Sequence, residues 1–349
     1  MKKIIIILIV GIGLIAGFIY FLNHSLTEKE TSIAGEKPVM IGFSMGTTRE
    51  ERWFKDRDFF IERAQKLGAV VNVTLSDYDA EKQNLQIESL ISQGVKVIIV
   101  IPSDSEKIAP AIKEANQAGI KIIAYDRLIK NSDIDSYISF NNVKVGELEA
   151  QSVLSVVDKG NFAYIGGSPT DNNASLLKEG TMNILMPKIE NGDINLVIDK
   201  FMDDWKPEEA YKTIKDYLRS GGKLDAVIAA NDGTASGVIQ ALQEFGLAGK
   251  IPVSGQDAEL SATQRIVAGT QTSTVYKPIS SLAYMAAEIA VAMANGTMPT
   301  TMNFIDNGKI EVPSFFLEPI IVNKNNIDNT IIKDGFHTYE EVYQSVIKQ

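Results

Sequence analysis

From Val39 onward the chain alternates between two patterns of apolar and polar positions. Short apolar runs, "VMIGFS" (39–44), "VVNVTL" (70–75), "VKVIIVI" (95–101) and "IKIIAY" (120–125), are separated by longer stretches with helical spacing. Short runs rich in Val and Ile read as strands, and apolar residues three and four apart read as one face of a helix. The stretch 49–67 places Phe59, Phe60, Ala64 and Leu67 on such a face. Leu85, Ile87, Leu90 and Ile91 repeat the pattern, and so do Ile108, Ala111, Ile112 and Ala115. Gly68, Gly94 and Gly119 then close the three predicted helices, because glycine takes the left-handed conformation of a helix end without steric cost. This alternation predicts a parallel sheet with right-handed crossovers.

A second series runs through "NFAYIG" (161–166), "INLVID" (194–199), "DAVIAA" (225–230), "IPVSG" (251–255) and "TSTVY" (272–276). Helices are predicted between these runs, over 171–190, 206–220, 232–246 and 259–268. An Ala-rich helix over 280–296 and strands within "SFFLEPIIV" (314–322) complete the pattern. The reading is α/β, with two similar lobes and a cleft between them. In open α/β sheets, ligands bind beyond the C-terminal ends of the strands.

Ahead of this pattern, Lys2 and Lys3 precede an uncharged run from Ile4 to Leu22, nineteen residues long. A secretory signal core has about 7–15 residues and a spanning helix about 17–25, so length favours a membrane anchor over 1–23. A polar linker over 24–37 follows. "SIA" (32–34) has the small-x-small form of a cleavage site but lies far beyond the run. Positive residues stay inside, so the globular part is expected on the extracytoplasmic side, whether or not the segment is cut. "GIGLIAG" (11–17) resembles a dinucleotide fingerprint, but no strand precedes it.

Composition narrows the chemistry. The chain of 349 residues has no Cys, which removes thiol nucleophiles, thiolate metal sites and a lipidated Cys. Two His, His24 and His337, do not furnish a Ser-His-Asp triad or a His-rich metal centre. A formal net charge of −10 argues against a nucleic-acid surface. No phosphate loop of the form G-x-x-x-x-G-K is present, and no cofactor is expected. Asp126 and Asp257 are the one acid–base pair an enzymatic reading could use, but no nucleophile or cofactor motif accompanies them.

The residues that follow the strands are a consistent set. They are Arg49, Arg52 and Trp53; Asp126 and Arg127; Asp171, Asn172 and Asn173; Trp205; Asn231 and Asp232; Asp257; and Lys277. A sugar hydroxyl both donates and accepts. Carboxylates accept, Arg and Lys donate, and Asn does both from one planar group. The apolar faces of a pyranose pack on indole, so Trp53 and Trp205, one from each lobe, are expected to sandwich a ring. Within "TTREERWFKDRDFF" (47–60), Arg49, Arg52, Trp53 and Asp56 share one helical face. Glu50, Lys55, Arg57 and Asp58 are assigned to the solvated face.

The motifs "RWFKDRD", "IAYDR", "YISFNN", "VGELEA", "GGSPTDNNA", "SGQDAEL" and "AGTQTSTVYKPI" together resemble the sugar-binding members of the type I periplasmic binding protein superfamily, in particular the D-xylose-binding ones. The resemblance runs from about Val39 to about Asn295 and continues more weakly to the end. It implies two Rossmann-like lobes joined by three crossing strands. The chain would cross near 140–142, 277–279 and 312–316. One lobe would hold 38–140 and 278–313, the other 141–277 and 314–349. It also implies a non-enzymatic role: D-xylose, or another monosaccharide such as ribose, glucose or galactose, is held in the cleft. The implied contacts are Arg49, Arg52, Trp53, Asp126, Arg127, Asn173, Trp205, Asn231, Asp257 and Lys277. The implied partner is a membrane protein that reads the closed form, either an ABC-type permease or a sensor histidine kinase. The apolar N-terminal run departs from relatives that are released or lipidated, and favours sensing.

Overall fold

A computed structural model describes residues 38–347 of the chain. The anchor expected over 1–23 and the linker over 24–37 lie outside the described residues. Among the described residues no helix is long and apolar enough to cross a membrane.

The first half follows the predicted alternation. β1 (Val39–Met45), β2 (Ala69–Leu75), β3 (Val97–Ile101) and β4 (Lys121–Tyr125) are separated by α1 (Arg52–Lys66), α2 (Ala80–Ser92) and α3 (Ala109–Gln117). With β5 (Ser136–Phe140), β10 (Asn303–Asp306) and β11 (Glu311–Leu317), they form a seven-stranded sheet of order β10-β11-β5-β4-β3-β1-β2. The sheet is mixed rather than parallel, because β10 returns antiparallel along β11 at its edge. Every residue of β3 is buried, since helices cover both sheet faces. On one face α1 and α9 (Ile279–Ala294) pack Phe60, Ala283 and Ala287 against Phe43 and Ile99. On the other, α2 and α3 pack Ile87, Leu90 and Ile112 against Ile98. Leu67, expected inward, is 39% exposed, because the helical turn ends before it.

The second half has a smaller sheet of order β7-β6-β8, built from β6 (Gly160–Ile165), β7 (Ile194–Lys200) and β8 (Ala226–Ala229). α4 (Asn142–Leu154) and α5 (Asn172–Glu190) cover one face. α6 (Pro207–Arg219) and α7 (Asp232–Glu244) cover the other. Glycines let these helix pairs approach: a Cβ at Gly180 would meet the Val143 carbonyl oxygen at 1.9 Å, and one at Gly237 would meet that of Pro207 at 2.0 Å. The expected strand at 251–255 is reduced to two isolated bridges, Val227 with Val253 and Ala248 with Ile251. Pro252 accepts from Val227 N but has no N–H with which to continue the ladder. Beyond it lie α8 (Leu260–Ala268), α10 (Tyr339–Ile347), and the antiparallel pair β9 (Thr274–Tyr276) and β12 (Ile320–Val322).

The chain passes between the halves three times: between β5 and α4, between β9 and α9, and between β11 and β12. The third passage falls later than expected. Ser314–Leu317, assigned by the sequence reading to the second lobe, pair with Tyr137–Phe140 in the first sheet. The apolar pattern also leaves β5 and α4 unassigned. "SYISF" has serines at two of its five positions, and α4 buries the polar residues Asn142 and Glu149 along with its apolar ones.

Candidate functional site

Nine of the ten residues singled out in the sequence line one cavity between the two halves; Arg49 is the exception. The cavity volume is about 20 Å³, room for about one water, so the cleft between the halves is tightly closed.

Arg52, the first residue of α1, is the hub of the first half and is 2% exposed. Its Nε donates to Asp56 Oδ2 at 3.0 Å, its Nη2 lies 2.8 Å from Asp126 Oδ2, and its Nη1 donates to Asp257 Oδ1 at 3.3 Å. Asp56 is one helical turn along α1 and does not line the cavity; it also accepts from the buried Tyr125 hydroxyl. Burial works against the guanidinium charge, but Asp126, Asp56 and Asp257 more than offset it and hold Arg52 firmly protonated. Burial alone would raise the pKa of Asp126. Arg52, then Lys277 and Arg127, outweigh it and draw that carboxyl below its usual range. For Asp56 burial wins over Arg52, and its pKa rises.

The second cation, Arg127, lies 2.8 Å from Asp171 Oδ2 across the cleft. Asp171 caps α5 by accepting from Asn173 N at 2.9 Å, and also takes the Trp205 indole N–H at 3.2 Å. Asn173 reaches back, donating to Asp126 Oδ1 at 3.1 Å. Asn231 caps α7 through Thr234 N at 2.7 Å. Lys277, just past β9, sits 3.2 Å from Asp257 Oδ1. Both indoles are fixed by a carboxylate of their own half, for Trp53 N–H bonds Glu50 Oε2 at 2.6 Å. Guanidinium groups lie over the Trp53 ring, Arg52 at 4.4 Å and Arg127 at 5.3 Å from its centroid. Trp205 packs where only a glycine fits, since a Cβ at Gly167 would lie 2.1 Å from its ring.

Three cavity residues adopt left-handed backbone: Asp126 (φ 62), Trp205 (φ 59) and Asp257 (φ 88). Such conformations cost free energy in non-glycine residues and cluster where a side chain must be aimed. Here they turn side chains into the cleft at strand and loop ends.

Two assignments need correction. Arg49 does not line the cavity; its guanidinium lies 4.8 Å from the Tyr78 ring centroid and donates to the Asp204 carbonyl across the cleft. Glu50 is not on a solvated face. It is 5% exposed and lines the cavity, because it stands ahead of the helix, which begins only at Arg52. Asp171 and Gln256 also line it without having been assigned. Asp171 stood at the right strand end but reads as a plain helix cap. Glu50 had a usable signal: an acid three residues before a Trp at a helix start can reach the indole N–H.

Further contacts hold the halves together outside the cavity. Ser105 N donates to Thr170 O at 3.0 Å. Lys55 donates to Phe336 O at 2.7 Å, and Glu51 Oε2 accepts from Leu260 N at 3.1 Å, capping α8 from the other half. Loss of such a cap costs about 1 kcal/mol. Glu51→Ala is therefore expected to weaken ligand affinity about fivefold without contacting the ligand, because only the closed form is destabilised. Calorimetric titration checks this, and an unchanged affinity would mean that the contact persists when the halves part.

Comparison with known proteins adds three findings. The family model described as periplasmic binding protein domain matches residues 41–298. The chain is 49% identical over 314 residues to the D-xylose-binding periplasmic protein of Escherichia coli (strain K12), covering 89% of this chain and 95% of that one. It is 47% identical over 314 residues to the D-xylose-binding periplasmic protein of Haemophilus influenzae, covering 90% and 95%. Among solved structures, an ABC transporter solute binding protein from Clostridium phytofermentans with bound β-D-glucose superposes with a TM-score of 0.81 at 28% identity, covering 87% of this chain and 99% of that one.

Proposed function

Because the chain belongs to the periplasmic binding protein family, we propose that it is an extracytoplasmic receptor for D-xylose, or a monosaccharide close to it, and has no catalytic role. The observation that carries this reading is the cavity itself. Arg52, Arg127 and Lys277 are each paired with a carboxylate, so the lining groups can share hydrogen bonds with hydroxyls without leaving an uncompensated charge. Two indoles supply the apolar walls that a ring needs. Sugar bridging the two halves favours the closed arrangement, and ligand shifts that equilibrium only by its differential affinity for the closed form. Micromolar binding corresponds to about −8 kcal/mol, enough for such a shift.

The closed form is then delivered to a membrane partner. Solved neighbours described as ABC transporter solute binding proteins support an ABC-type permease. One feature favours a second reading, in which a sensor histidine kinase recognises the closed form. The apolar run from Ile4 to Leu22 is long enough to hold the chain in the membrane as a single-pass protein, beside a membrane partner.

Calorimetric titration of the purified full-length chain with D-xylose, D-ribose, D-glucose and D-galactose tests the ligand. D-Xylose is expected to bind at least tenfold more tightly than the other three. Absence of heat and of fluorescence change with all four would overturn the reading.

A further inference from the structure

Polar side chains lining the cavity are already satisfied by protein partners, with one conspicuous exception. Glu50, Arg52, Arg127, Asp171, Asn173 and Asp257 each make hydrogen bonds or ion pairs there. Asp126 Oδ2 lacks a well-aligned hydrogen bond, but it lies 2.8 Å from Arg52 Nη2 as an ion pair. Gln256 differs. It lines the cavity, is 3% exposed, and its buried Oε1 has no partner of any kind. Its backbone is held on both sides, by Asp232 N donating to Gln256 O at 3.0 Å and by a ladder pair with Val275. The residue cannot easily withdraw from the cleft to find water.

A buried amide oxygen without a donor demands an explanation, because it has given up its hydration and received nothing. Resting on the sugar-binding reading, we propose that Gln256 determines specificity by accepting a hydrogen bond from one particular hydroxyl of the bound sugar. The charged network around it serves any polyol of the right size. Gln256 distinguishes among them, because a sugar without a hydroxyl at that point leaves Oε1 unpaired in the closed form, and pockets built around such groups reject the defective analogue strongly. The same argument makes closure without ligand unfavourable, which couples closing to the arrival of a correct sugar.

The test is a calorimetric cycle on the full-length chain: wild type and Gln256→Met, each titrated with D-xylose and with the series of xyloses lacking one hydroxyl. Gln256→Met is expected to bind D-xylose tenfold or more weakly. Removing the one hydroxyl that faces Gln256 is expected to cost wild type tenfold or more and the variant less than twofold, while the other removals cost both proteins alike. Equal costs for every removal in both proteins would overturn the assignment. Should Gln256→Met fail to fold, a crystal structure of the wild-type complex decides. A sugar hydroxyl within about 3.2 Å of Oε1 supports the proposal, and a bound sugar that leaves Oε1 unpaired refutes it while leaving the sugar-binding reading intact. No binding of D-xylose by wild type would refute that reading instead.

Discussion

Replacing Arg52 with Met is expected to remove measurable sugar binding and to destabilise the fold by about 3–5 kcal/mol at pH 7. The side chain is 2% exposed and faces Asp56, Asp126 and Asp257 at once. Methionine fills most of its volume, so the loss is chiefly electrostatic: carboxylates in a closed site lose their principal cation. Lys277 remains for Asp257, but Asp56 keeps only the Tyr125 hydroxyl. The pH dependence gives a check that a simple packing defect would not reproduce. In the wild-type protein the Asp126 pKa is lowered, mainly by Arg52 acting against burial. A depressed carboxyl contributes stability above its unfolded pKa, about 3.9, and that contribution is lost as pH falls through the folded value. The gap between wild type and variant should therefore be widest near pH 7 and narrow only below about pH 4, toward about pH 2. Urea unfolding at both ends of that range measures it. A constant gap, or sugar affinity within tenfold of wild type, would mean that Arg52 is not the hub.

How far the sequence reveals this site depends on whether the signal is local. Arg52, Trp53, Asp126, Arg127 and Lys277 each follow an apolar run, and in an α/β sheet the strand ends converge, so position along the chain predicts position in space. Glu50 escapes because its role depends on where the helix begins. Counted as part of a helix starting at 49 it falls on the outer face; placed before a helix that starts at Arg52 it turns inward. Arg49 is the converse: its alignment with the inner face is correct in projection, but the residue ends on the rim against Tyr78 and Asp204. In the fold, β1 to β4 and the helices between them are legible because burial on both sheet faces makes continuous Val/Ile runs. β5, with its serines, and α4, with buried Asn142 and Glu149, are not. Their polar residues are satisfied, or left unsatisfied, by tertiary neighbours that no local pattern records.

Glu149 is the most consequential of those, and replacing it with Met is expected to stabilise the protein by about 1–3 kcal/mol at pH 8. The residue projects from α4 into the second half with no exposed surface, and neither carboxyl oxygen has a hydrogen-bond partner. The Tyr164 hydroxyl, also buried, is likewise unpartnered. Burial raises the Glu149 pKa well above the usual carboxyl range; Lys277 opposes the shift, and Asp257 and Asp232 reinforce it. An acid raised in the folded state binds a proton that the unfolded chain has released. Its contribution is most favourable below the unfolded pKa, about 4.3, and declines as pH rises toward the folded value. Methionine carries no such linkage, so the stabilisation should be small at pH 5 and larger at pH 8, read from paired urea unfolding curves. Sugar affinity should stay within threefold, because Glu149 does not line the cavity. A variant less stable than wild type at pH 8 would show the carboxylate to be charged and paired there. Lys277, the cation that opposes the upward shift and the residue at the second passage between the halves, would then be its partner.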